Sequence, residues 1–111
     1  MRQKKMQCKD LPTAEVLFAM WAWHEEVRQI NAEHRTPGTI GTVSLEVARM
    51  YPPDVVQVMM YLYDVPEKLV YAKLDKLERK GLIEYGGTIR LGWPTDKGLA
   101  LMREAGLVDS A

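Results

Sequence analysis

The chain is poor in the residues that build cross-links and metal cages. Cys8 is its only cysteine, so no internal disulfide and no cysteine-rich zinc site can form. Its two histidines, His24 and His34, are ten residues apart and would need a third ligand from elsewhere. His24-Glu25-Glu26-Val27-Arg28 begins like the zinc-protease pattern HExxH, but Arg28 stands where the second ligand is needed. His24 is therefore expected as a partly buried core histidine. GxSxG, GxxxxGKS/T and GxGxxG are all absent. Glu25 and Glu26 are adjacent and diverge on a helix, which makes a poor acid/base dyad. No enzyme activity and no cofactor are expected. No apolar run approaches the ~20 residues that span a bilayer. No signal-peptide core follows the basic start, because Glu15, His24, Glu25 and Glu26 intrude. A cytoplasmic location is the resulting expectation.

Net charge is also lacking: 15 cations balance 15 acids. Zero net charge argues mildly against a polyanion partner, so the distribution decides. Residues 1–10 carry four cations and one acid; residues 11–65 carry three cations and seven acids. Residues 66–98 return to excess cation, seven against five, and the rest is −1. Positive charge thus collects on an N-terminal arm (Arg2, Lys4, Lys5, Lys9) and on the stretch after Pro66.

What is present suits one globular domain: 111 residues, 47% of them hydrophobic, is enough for a single core. Residues 1–10 read as a mobile basic arm and residues 11–111 as the domain. A helix is predicted from about Thr13, as its cap, to about His34. Val16, Met20, Trp23, Val27 and Ile30 form its stripe. Arg35-Thr36-Pro37-Gly38 breaks it, and Thr39–Val43 is ambiguous. Ser44 is predicted to cap a short helix to about Tyr51. Asp54 caps another from Val55 to Leu62 or Tyr63, with Val55, Val58, Met59 and Leu62 inward. Asp64 and Glu67 have capping-box spacing for a helix that runs to Lys80 and stops at Gly81. Leu82–Tyr85, Gly86-Gly87 and Thr88–Leu91 read as a two-residue-turn hairpin with Leu82 opposite Leu91 and Ile83 opposite Arg90. Thr95 caps a last helix to about Ala105, ended by Gly106, with Leu99 and Met102 inward.

The expected class is mainly α with a small β-hairpin, in the order of a winged helix-turn-helix. Sorted at 100° per residue, Val70, Leu74 and Leu77 form the core stripe of the helix after Pro66. Lys68, Ala72, Asp75 and Arg79 lie opposite, flanked by Tyr71 and Lys76. Such a face fits the major groove of duplex DNA. Lys68, Tyr71, Ala72 and Lys76 are the candidate base-facing residues, with Asp75 able to accept from a cytosine amine. Lys73, Arg79 and Lys80 are the candidate phosphate contacts.

The run Leu77-Glu78-Arg79-Lys80-Gly81-Leu82-Ile83-Glu84-Tyr85 resembles the junction between recognition helix and wing in MarR-type regulators. Thr95-Asp96-Lys97-Gly98 resembles the helix start after that wing. The resemblance implies a homodimeric transcriptional regulator that binds palindromic duplex DNA, with Arg90 as the wing cation. The sequence departs from that pattern at the Gly86-Gly87 tip, at Tyr85 and in its few residues after Thr95. These departures suit a phage- or mobile-element-type regulator. They also suit the alternative, a winged-helix protein-interaction module such as an assembly or replication accessory factor. The surplus of Trp21, Trp23, Met59, Met60 and Tyr61 suggests a homodimer built on the first and last helices. No convergent polar set marks a small-molecule effector pocket.

Overall fold

Among the described residues two α-helices open on a side-chain cap, Asp54 and Thr95, and two open on a proline, Pro12 and Pro66, with no side-chain cap bond. In the computed structural model, which describes residues 6–34 and 45–109, α1 spans Thr13–Glu33. Pro12 takes the N-cap place, so Thr13 is the first helical residue and not the cap the sequence suggested. Proline at a helix start gives up a donor that would be unpaired anyway. Val16, Leu17 and Met20 are buried, while Val27 and Ile30 are only half-buried. The predicted stripe therefore meets the core along its first half. Farther along, the Trp23 indole donates to the Pro52 carbonyl (2.9 Å) and the Tyr51 hydroxyl donates to Asn31 Oδ1 (2.5 Å). The Tyr63 hydroxyl donates to Glu15.

α2 is one turn, Leu45–Ala48; its expected cap, Ser44, and the break over 35–43 lie outside the described residues. α3 spans Val55–Tyr63 and starts as the sequence required. Asp54 accepts from the Gln57 amide (3.1 Å), and the Gln57 side chain accepts from the Asp54 amide (3.0 Å). That closed capping box satisfies two donors and contributes about 1 kcal/mol. The buried stripe of α3 is Val55, Val56 and Met59. It is rotated toward Val56, which leaves the expected core residue Leu62 60% exposed.

α4 spans Glu67–Arg79, and three residues separate it from α3. The expected Asp64–Glu67 capping box does not form. Asp64 instead closes α3 in the left-handed conformation (φ 50°), and Pro66 is the N-cap of α4. Gly81 ends α4 with φ 74°, and the Leu82 amide reaches back to the Leu77 carbonyl (2.9 Å). This is the glycine stop the sequence announced.

The β-ribbon is shorter and differently registered than predicted. β1, Ile83–Glu84, pairs antiparallel with β2, Trp93–Pro94, so Ile83 faces Pro94 and Glu84 faces Trp93. The predicted Leu82–Leu91 and Ile83–Arg90 pairs do not form, and Gly86-Gly87 is not a two-residue hairpin turn. Residues 85–92 form the connection instead, with a 3-10 turn at Ile89–Leu91. Contacts from outside the ribbon hold that turn. His24 Nε2 lies 2.9 Å and 3.0 Å from the Leu91 and Gly92 carbonyl oxygens, so this nitrogen carries a proton and donates to both. Ile89 packs on the core. Gly92 has no room for more: a Cβ there would sit 2.7 Å from the Glu84 carbonyl oxygen.

Thr95 joins the ribbon to α5, Asp96–Glu104. Its amide donates to the Leu82 carbonyl (3.0 Å), and its hydroxyl donates to the Gly81 carbonyl (2.6 Å) and accepts from the Gly98 amide (3.2 Å). One side chain thus caps α5 as predicted and ties it to the end of α4. Met102 is fully buried, Leu99 and Leu101 are half-buried, and Gly106 (φ 74°) follows the helix. α1 runs behind, packed against α3, α5 and β2, while α3 packs on α4. The core lies between them, from Leu11 and Leu17 through Met59 and Leu74 to Ile83 and Met102.

At Gly98 a Cβ would run into the Leu82 carbonyl oxygen, a backbone atom that cannot step aside. Gly98→Ala is expected to lower unfolding free energy by about 1–3 kcal/mol in urea titrations, as overpacking does. Ala100→Gly, on the exposed side of α5, loses only about 1 kcal/mol.

Candidate nucleic-acid interface

α4 is held by one face. Val70, Leu74 and Leu77 are each at most 1% exposed. The helical repeat then turns Lys68, Ala72, Asp75, Lys76 and Arg79 outward, and all five are exposed. The candidate base-facing set is thus brought onto one flank, except for Tyr71. That residue lies at the border, half-buried, and its hydroxyl accepts from Arg90 Nη1 (3.4 Å). Lys68 and Lys76 make no ion pair among the described residues. Arg79 donates from Nε to the Asp75 carbonyl (3.3 Å), which lays its side chain along the helix. Lys80, at the C-cap, is exposed, and its carbonyl accepts from the Lys97 ammonium (2.9 Å). Lys76, Arg79, Lys80 and Lys97 therefore gather toward the C-terminal end of α4. Cations there also suit the helix dipole.

Two predicted site residues are placed otherwise. Lys73 does not stand out from α4 as a phosphate contact was expected to: it is 6% exposed, on the side of α4 covered by the Cys8–Asp10 turn. It makes no hydrogen bond, and no buried side-chain nitrogen among the described residues lacks a partner, so its stem is buried while its ammonium reaches solvent. Burial pushes that ammonium below the ordinary lysine range; Lys80 and Lys76 push the same way, and Cys8 opposes them. Residue 73 lies only about 40° from Leu77 around the helix, the signal in the sequence that points to its burial. Of the expected basic arm, residues 1–5 lie outside the described residues, Met6 packs on the core, and Lys9 is exposed within the turn.

Arg90 is the second correction. It is not a free wing cation. Its Nε donates to Asp54 Oδ2 (2.8 Å) and its Nη2 to Asp54 Oδ1 (3.1 Å). This two-pronged pair is partly buried, and hydrogen bonding to Asp54 raises the guanidinium pKa further, against a smaller effect of burial. Asp54 was legible only as a helix cap; nothing in the sequence marks a partner 36 residues away.

Among the described residues no three histidine, cysteine or acidic side chains converge on a metal position, and no helix is long and apolar enough to cross a membrane. Comparisons with protein families, with curated proteins and with solved structures find no match.

Lys73 gives a pH-dependent expectation. Its folded-state pKa is depressed, so the unfolded chain binds more protons in the window between that value and the ordinary 10.5. Stability from this residue therefore rises with pH across that window. Lys73→Met keeps the buried stem and removes the titration. Relative to the parent, it is expected to unfold at higher temperature at pH 7, and the gap closes as the pH climbs toward 10.5. Melting curves at four or five pH values read the gap directly.

Proposed function

We propose that this chain is a winged helix-turn-helix protein that binds specific duplex DNA, as a transcriptional regulator of repressor type. The supporting observation is the exposed flank of α4. Lys68, Ala72, Asp75, Lys76 and Arg79 face outward on a helix seated by its opposite side and preceded by α3 through a three-residue turn. A helix held in that way enters a major groove with its side chains against base edges. Lys68, Ala72 and Lys76 read bases, and Tyr71 meets the groove with its ring edge. Asp75 favours a cytosine amine and disfavours bases that present only acceptors. Arg79 and Lys80 hold phosphates, joined by Lys97, which supplies affinity rather than choice. The 85–92 connection lies beside the helix as the wing.

A single helix reads only a short half-site, so the reading includes a homodimer with its two α4 flanks about 34 Å apart. The flank that carries the Phe18–Trp21 ring pair (5.8 Å), beside a groove lined by Trp21, Leu99, Leu107 and Val108 with Arg103 and Asp109 at it, suits that contact. Such a regulator works in the cytoplasm. No effector is assigned.

A second reading, a winged-helix module that binds protein alone, draws on the exposure of Tyr61 (87%) and Leu62 on α3. The two readings diverge at Lys76. Under DNA binding, Lys76→Ala or Lys68→Ala weakens the selected duplex by about 1–3 kcal/mol, and affinity of the parent falls steeply with salt. Selection from a random duplex pool followed by anisotropy titrations at several salt concentrations measures both. A pool that yields no enriched site and no salt-dependent binding removes the DNA reading.

A further inference from the structure

Arg90 sits in the 3-10 turn of the 85–92 connection, yet its side chain turns away from the tip of that connection and spans two helices. It grips the Asp54 carboxylate at the N-terminus of α3 with two nitrogens and reaches the Tyr71 hydroxyl on α4 with the third. Asp54 is already committed: its Oδ1 accepts from the Gln57 amide as well as from Arg90 Nη2. The carboxylate therefore has fixed orientation before Arg90 arrives. From the other side, His24 on α1 holds the two carbonyls that follow Arg90. β1 and β2 pair over only two residues each, which is too little ladder to fix the connection. The position of the connection relative to α4 is thus set by side chains, and Arg90 is the one that links it to both α3 and α4.

The geometry points to Arg90 as a positioning residue for the DNA-binding surface: clamped by Asp54 and Tyr71, it locks the 85–92 connection beside the exposed flank of α4 and does not itself meet DNA. The inference rests on the DNA reading for its functional consequence, while the lock itself has an independent readout. With the lock closed, the Ile89–Leu91 turn is held against α4 beside Tyr71, at the border of the outward flank. With it open, binding must first order the connection, which weakens affinity without removing a phosphate contact. The same clamp restrains the Tyr71 ring at the border of the α4 flank, so opening it also relaxes base choice next to that ring.

The test uses Asp54→Asn and Arg90→Lys in the full chain. Asparagine is as good a helix cap as aspartate, so α3 keeps its start while losing the charge and one of the two acceptors. Lysine keeps the cation of Arg90 and loses the fork. Amide hydrogen exchange is measured with no DNA present, and duplex affinity is measured across a salt series. The lock predicts faster exchange over 86–92 in both variants, with α1 amides and the global unfolding midpoint close to the parent. It also predicts about tenfold weaker duplex binding in both, with an unchanged slope of log affinity on log salt. Unchanged exchange over 86–92 in both variants overturns the lock. Tighter binding by Asp54→Asn, which frees a cation, overturns the positioning role and makes Arg90 a phosphate contact. If the parent shows no salt-dependent duplex binding, the DNA reading fails, and the exchange data alone decide the lock.

Discussion

Burial of Val70, Leu74 and Leu77 is the constraint on which the candidate site depends. Each deeply buried aliphatic side chain contributes about 1.5–3 kcal/mol relative to exposure. Three of them on one stripe leave α4 a single rotational setting about its own axis. The outward set then follows from the helical repeat, with no side-chain hydrogen bond to another element holding it among the described residues. Lys68 and Lys76 make no ion pair within the described residues, so they keep their charge available to a partner. Thr95 adds the axial restraint: it joins the end of α4 to the start of α5 through the Gly81 carbonyl and the Gly98 amide.

The ribbon follows a different logic from the helix. Alternation and a Gly-Gly pair favour a tight two-residue hairpin, and an isolated ribbon with that sequence would be drawn toward it. The folded chain uses a longer connection because four residues in it have outside partners. Ile89 packs on the core, Arg90 pairs with Asp54, and the carbonyls of Leu91 and Gly92 accept from His24. Those contacts outweigh the few ladder hydrogen bonds that the shorter turn would add, each contributing about 1 kcal/mol. Pro94 then fits β2 because a two-stranded ribbon is all edge, so a missing amide is tolerated.

The two displaced cations have separate causes. Lys73 had its burial encoded in its angle, close to the Leu77 side of the helix, and a count of charged residues passes over that. Its long stem is apolar enough to lie under the Cys8–Asp10 turn while the ammonium emerges. Arg90 carried no such signal. A lone cation near a turn looks like a ligand contact until its acceptor is found, and that acceptor doubles as a helix cap far away in sequence. Cations in this chain therefore divide by partner: those facing nothing within the fold are candidates for an external polyanion, and Arg90 serves the fold.

The sequence by itself determined the local events. It determined the helices and most of their ends, the Asp54 and Thr95 caps, the Gly81 stop, the core stripe of α4 and hence the exposed flank opposite it. All of these rest on interactions within a few residues, where backbone sterics and helical repeat leave little choice. Tertiary structure alone decided the ribbon register, the rotation of α3 that exposes Leu62, and the engagement of Arg90. The register and the engagement of Arg90 are each a competition between a local preference and a partner 36 to 68 residues away in the chain. Only the closed fold brings those partners within hydrogen-bonding distance.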